Sequence, residues 1–219
     1  MTPVGSVQTS VAEGLPGYLG DRVEGIDVAG TIEEPDLEAI AALEPDLMLS
    51  ATVRHKQIYD ELSQIAPTVF TESSGTDWKE GFTLVAEALG RAEEGEHALT
   101  AYSERVEEVG QEIGAEEMTA SIVRFLPDET RIYGPDTFSG SVLTEVGFSL
   151  PDLDYDEYSM VYISPEQIER ADAEVIFSTR DHVTALWDPL RGAAGLPVQR
   201  RSSVTAPAVD RSQVKAAFA

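Results

Sequence analysis

The sequence predicts an α/β protein of two α/β lobes joined by one long rigid helix. Three observations carry that expectation. Arg91 to Gly114 places Leu99, Tyr102, Val106, Val109 and Ile113 at alternating spacings of three and four, one face of a helix whose other face is rich in glutamate. At 1.5 Å per residue it would run roughly 30–35 Å. Short segments on both sides of it alternate between helix and strand patterns. Finally, Pro35 to His55 and Pro165 to His182 echo one another. Each reads proline, acid, helix, acid, apolar strand, small polar residues, then an arginine with a histidine nearby. An ordinary long surface helix packed on a single sheet fits the same periodicity. The organisation expected is an incomplete first lobe over 1–89, the connecting helix over 90–115 and a second lobe over 116–219, atypical from about 192.

Taken in order, Thr2 to Val7 is a candidate strand, and Pro16, Gly17 and Gly20 argue for loop. Pro35 to Leu43 reads as a short helix, with the proline at its first position and Asp36 and Glu38 at the positive end of its dipole. Asp46 to Ser50 is an apolar run of strand length. Lys56 to Ile65 is helical, Thr68 to Phe70 extended, and Thr71 to Thr76 a loop. Asp77 to Leu89 is helical, with Trp78, Phe82, Val85 and Leu89 on one side. Beyond the long helix, Ser121 to Phe125 and Arg131 to Tyr133 are extended, Ser141 to Val146 starts a helix, and Pro151 to Tyr162 is acidic and aromatic. Ser164-Pro165-Glu166 opens a further helix, and Ala173 to Ser178 is a buried strand. From Gly192 onward the periodicity dissolves.

Composition excludes several classes. The 219 residues carry 15 Lys plus Arg against 40 Asp plus Glu, a formal charge of -25. Such a surface repels phosphate backbones, so nucleic acid is not an expected partner. Without cysteine there is no disulfide and no thiolate chemistry. No apolar run could span a bilayer, and the first residues show no basic region followed by an apolar one. Neither a phosphate-cradling glycine loop nor a nucleophile-elbow or paired-histidine zinc motif occurs, so nothing calls for an enzyme or a cofactor.

In open α/β sheets, ligands bind beyond the carboxyl ends of strands. Arg54, Lys56, Arg124, Arg131 and Arg180 lie in or beside the loops expected there. Guanidinium groups match carboxylates in bidentate fashion, so arginines gathered at strand ends of an acidic protein suggest a negative or oxygen-rich ligand. Each arginine could equally answer a local carboxylate. His97 reads as a solvated residue. His55 and His182 could converge with Asp or Glu on a metal, though their isolation favours no metal site.

The segments EPDLEAIAALEPDLMLSATVRHKQIYDELSQIAPTVF, TDWKEGFTLVAEALG, RFLPDETRIYGPDTFSGSVLTEVGF and YISPEQIERADAEVIFST follow in one order. Together they resemble the ferric-siderophore substrate-binding proteins of ABC importers, up to about Arg191. The resemblance implies two lobes joined by a long helix, with a ligand cleft between them. It implies capture of an iron(III) chelate outside the cytoplasmic membrane by a monomer, and delivery to a membrane permease. It implies arginine and aromatic contacts to the chelate. Carried onto this chain these are Arg54, His55 and Trp78 from the first lobe and Arg124, Tyr133, Tyr158, Tyr162 and Arg180 from the second. The family's secretion signal, first strand-helix unit and closing segments have no match here, so a chain shortened at both ends is expected. The same fold binding cobalamin, haem or a bare metal ion is the nearest alternative, followed by a non-functional fragment and, last, a doubly wound enzyme.

Overall fold

The computed structural model describes residues 2–9, 14–73, 75–126 and 129–180, with 17, 18, 179 and 180 through the backbone only. The chain divides into two compact units, the division falling between Gly95 and Glu96 inside the long helix.

The first unit opens with strand β1 (Gly5–Gln8) and strand β2 (Asp27–Thr31), which pair in parallel. Helix α1 (Leu37–Ala42) follows. Its cap is Asp36, whose carboxylate accepts from the amides of Glu38 and Ala39 at 3.1 and 3.0 Å. Pro35 therefore sits one residue outside the cap rather than at the first helical position. Strand β3 (Met48–Ala51) and strand β4 (Thr68–Thr71) form a second parallel pair. The helix expected over Lys56 to Ile65 is two pieces, a 3₁₀ turn over 56–58 and α3 (Tyr59–Ile65), and a one-turn helix not expected there, α2 (Thr52–His55), precedes them. Met48, Leu62 and Ala66 make the core, with Leu37, Ile40, Ile58, Ile65 and Phe70 packed on it. Helix α4 (Trp78–Ala88) starts after Asp77, which holds φ at 56°.

Helix α5 (Ala92–Ile113) matches the expected long helix within a residue at each end. Leu99, Tyr102, Val106 and Val109 are half-buried, as their spacing predicts, whereas Ile113 at the last turn is exposed. The second unit holds β5 (Ala120–Phe125), β6 (Thr130–Tyr133), α6 (Phe138–Val146), β7 (Met160–Ile163), a 3₁₀ segment over 165–171 and β8 (Val175–Arg180). The sheet runs β7-β6-β5-β8. The first three strands are antiparallel and β8 joins β5 in parallel. Alternation along the strands sends Val123, Ile132, Val161 and Ile163 to one face, where Ala171, Ile168, Leu153 and Tyr155 cover them. Each such aliphatic side chain contributes about 1.5–3 kcal/mol on burial. Ala115, Ala120 and Phe148 form a second core beside α6.

Candidate functional site

The other face of the second unit's sheet carries several of the candidate site residues. Register sets Arg124 directly opposite Arg131, and Arg131 directly opposite Tyr162. Residues opposite one another in a sheet share a face, so the three form a row across β5, β6 and β7. Tyr133, two residues along β6 from Arg131, returns to the same face. The Arg124 guanidinium comes within 3.5 Å of the Tyr133 hydroxyl. The Arg131 guanidinium stands 5.2 Å from the Tyr162 ring centre, a cation–π distance. It also pairs with Glu129, donating from Nε at 2.7 Å and from Nη2. Burial works against the Arg131 charge. The Glu129 carboxylate, with smaller help from the Tyr162 and Tyr133 oxygens, outweighs it and raises the arginine's pKa above its ordinary value. Two guanidinium groups side by side are unfavourable unless an anion joins them. Glu129 supplies such an anion for Arg131, and Tyr162, 49% exposed, leaves the row open to solvent.

Tyr158, also half exposed, lies on the turn that leads into β7, with its amide donating to the Asp156 carboxylate at 3.0 Å. The turn is tight: Ser159 holds φ at 56°, and its carbonyl accepts from Gly134 at 2.7 Å. Ser159 Oγ in turn accepts from the Asp136 amide at 3.1 Å. Thr137 caps α6, accepting from Gly140 at 3.0 Å and donating to the Gly134 carbonyl at 2.8 Å. A Cβ on Gly140 would sit 1.8 Å from that same carbonyl oxygen. The YGPDTFSG motif is thus a close-packed turn that fixes where β6 ends, and only its tyrosine belongs to the row. For Arg180 the structure gives register alone: it lies opposite Phe125, one position past the row.

In the first unit, Arg54 ends α2 and is exposed. It stands three residues beyond β3 rather than at the strand's end. Among the described residues, no carboxylate lies within ion-pair distance of it. Trp78 is half-buried at the start of α4, with the Lys79 ammonium 5.6 Å from its ring centre. His55 has both ring nitrogens engaged. Nε2 donates to the Ile32 carbonyl at 2.7 Å, and Nδ1 shares a hydrogen bond of 2.6 Å with the Ser50 hydroxyl. That arrangement makes His55 a tie between β2's end and β3. His182, its possible metal-site companion, lies outside the described residues, among which no group of three metal-ligating side chains occurs.

Residues 17–193 match the periplasmic binding protein family. The chain belongs to that family. Its curated relatives include a probable siderophore-binding lipoprotein, YfiY, of Bacillus subtilis, 38% identical over 80% of this chain and 56% of that protein. Another is the Fe(3+)-citrate-binding protein YfmC of the same organism, 28% identical over 86% of this chain and 60% of that one. Among solved structures, Staphylococcus aureus SirA superposes with a TM-score of 0.72 at 29% identity, covering 86% of this chain and 72% of SirA. SirA complexed with staphyloferrin B superposes at 0.71, with 27% identity over 84% and 66% of the two chains. This periplasmic binding protein chain spans about half the length of the curated relatives it matches. Its neighbours have two α/β lobes, the class the sequence predicts.

Residue-type reasoning placed Arg131 among the strand-end cations, yet the resemblance did not carry it over as a ligand contact. The signal was available: Arg131 and Arg124 flank a tight turn, and short antiparallel strands set such residues opposite one another.

Proposed function

We propose that this chain is the solute-binding component of an ABC importer, that it works outside the cytoplasmic membrane, and that it captures an anionic iron(III) chelate without turning it over. The observation that carries the reading is the Tyr162–Arg131–Arg124 row with Tyr133 beside it, in a protein whose formal charge is -25. Guanidinium groups pair in bidentate fashion with the carboxylates of an anionic chelate, and tyrosine rings pack its organic frame. The names of the relatives, siderophore-binding and Fe(3+)-citrate-binding, point the same way. Arg54, Trp78 and Tyr158 are proposed as further contacts, Arg54 because no described carboxylate answers it. Delivery of the chelate is to a membrane permease, and among the described residues no helix is long and apolar enough to cross a membrane itself.

Tryptophan fluorescence titration with ferric citrate and with a cationic ferric trihydroxamate tests the reading. A saturable response to ferric citrate, and one at least tenfold weaker to the cationic chelate, is expected. A folded sample that answers neither, or prefers the cation, overturns it.

A further inference from the structure

Glu129 closes one edge of the Arg131 guanidinium. Arg131 Nε donates to Glu129 Oε1 at 2.7 Å, and Nη2 donates to the same oxygen. Nε and Nη2 form an edge on which a guanidinium offers two parallel N–H groups to a carboxylate. A ligand carboxylate that grips this edge therefore takes it from Glu129. Local geometry explains the pairing. Glu129 stands immediately before β6 and Arg131 is that strand's second residue, and side chains two apart on an extended chain share a face. The Tyr162 ring, 5.2 Å from the guanidinium carbon, places the pair on the row described above.

The pair has the features of an exchangeable contact rather than a fixed strut. Both bonds converge on Oε1, so the match of two nitrogens to two oxygens that makes arginine–carboxylate pairs strong is not formed. The Arg131 and Glu129 side chains are 26% and 36% exposed, enough for water and dissolved ions to reach them. The Glu129 backbone is held separately: its carbonyl accepts from the Leu126 amide at 2.9 Å. Its side chain can therefore turn away without shifting β6. Meanwhile the carboxylate does useful work for the arginine. Burial opposes the Arg131 charge, and Glu129 sustains it, so the guanidinium stays charged and oriented before a ligand arrives.

We propose that Glu129 is a built-in competitor for the ligand's carboxylate, holding the gripping edge of Arg131 until a polycarboxylate chelate displaces it. The inference rests on the reading of the row as the chelate's seat. Trading one carboxylate for another on Arg131 alone gains little. Glu129 is tethered two residues away, so its effective concentration is high and a ligand with a single carboxylate loses to it. A chelate with several carboxylates also reaches Arg124, directly opposite on β5, and that second contact tips the exchange. Glu129 thus filters for ligands that carry several negative groups. It also lowers affinity for them, because its own charge stays beside the seat after displacement.

The test titrates ferric citrate, with and without acetate as a single-carboxylate competitor, into the unaltered chain, Glu129→Gln, Glu129→Ala and Glu108→Gln. Melting curves establish that each is folded. Glu108 pairs with Arg105 on the exposed side of α5, so its replacement makes the same change in formal charge at another place. The Glu129 variants are expected to bind ferric citrate roughly threefold to tenfold more tightly than the unaltered chain and Glu108→Gln. Acetate is expected to compete in the Glu129 variants and not in the unaltered chain. Equal or weaker binding by folded Glu129 variants overturns the proposal and makes Glu129 a positioning residue, while the seat itself stands because the unaltered chain binds. An equal gain in Glu108→Gln overturns it too, since net charge is then the cause, as does equal competition by acetate throughout. Ferric citrate bound by none of the four folded proteins overturns the reading of the row, and the inference with it.

Discussion

Arg124 and Arg131 concentrate the argument at the level of single residues. Opposed like charges weaken a strand pair, and Glu129 offsets the Arg131 charge through its ion pair. A hydrogen bond to a charged group contributes about 1.5–3 kcal/mol, which is roughly 10- to 100-fold in affinity. Replacing Arg131 by alanine is therefore expected to weaken ferric citrate binding by about that factor, read by equilibrium titration. His55 is expected to behave differently. His55→Ala leaves the Ile32 carbonyl and Ser50 hydroxyl without their partner and should cost about 1–3 kcal/mol in denaturant melts. Affinity lost without loss of stability would instead make it a ligand contact. Tyr102 offers a pH test. Burial, and then the Glu145 carboxylate beside it, raise its pKa far above the ordinary value. The folded state thus keeps a proton that the unfolded chain releases near pH 10, so stability falls as pH rises beyond about 10. Tyr102→Phe should flatten that alkaline limb in thermal melts. Sequence reasoning reached Arg124, Tyr133 and Tyr162 through strand ends and resemblance. It did not reach the row, because which residues stand opposite depends on register, and register is a tertiary property.

Among elements, α5 was readable because its three-and-four spacing persists from Leu99 to Ile113, and because packing of that face is what stabilises a helix so acidic. The short strands were harder. β2, Asp27–Thr31, is hidden by its glycine, and β7, Met160–Ile163, follows an acidic aromatic stretch whose tyrosines alone suggest no period. α2 went unseen because Thr52 and Val53 extend the strand pattern of β3. The join between α5 and α6 depends on Gly110, where a Cβ would stand 2.1 Å from the Val146 carbonyl oxygen. Backbone cannot yield as a side-chain tip does. Gly110→Ala is expected to destabilise the protein by about 1–3 kcal/mol, despite alanine's better helix propensity, as measured by urea denaturation. Thr137→Ala removes the cap of α6 and one anchor of the YGPDTFSG turn, and should cost about 1 kcal/mol or more in the same assay.

Across the whole molecule, the -25 charge sets the scale of the electrostatic problem. On the proposed reading, an anionic chelate approaches a surface that repels it, and local cations must overcome that field. Screening reaches about 10 Å at 0.1 M salt, so added salt relieves the long-range repulsion while weakening exposed arginine contacts. The measurement that bears most directly on the arginine row is the dissociation constant of ferric citrate for the unaltered chain and for the Arg124→Ala, Arg131→Ala double variant, with melting curves of both. The expected result is a loss of affinity of about 100-fold or more with the cooperative melt retained. Affinities within threefold of one another in two folded proteins would contradict the assignment of the row as the chelate's seat.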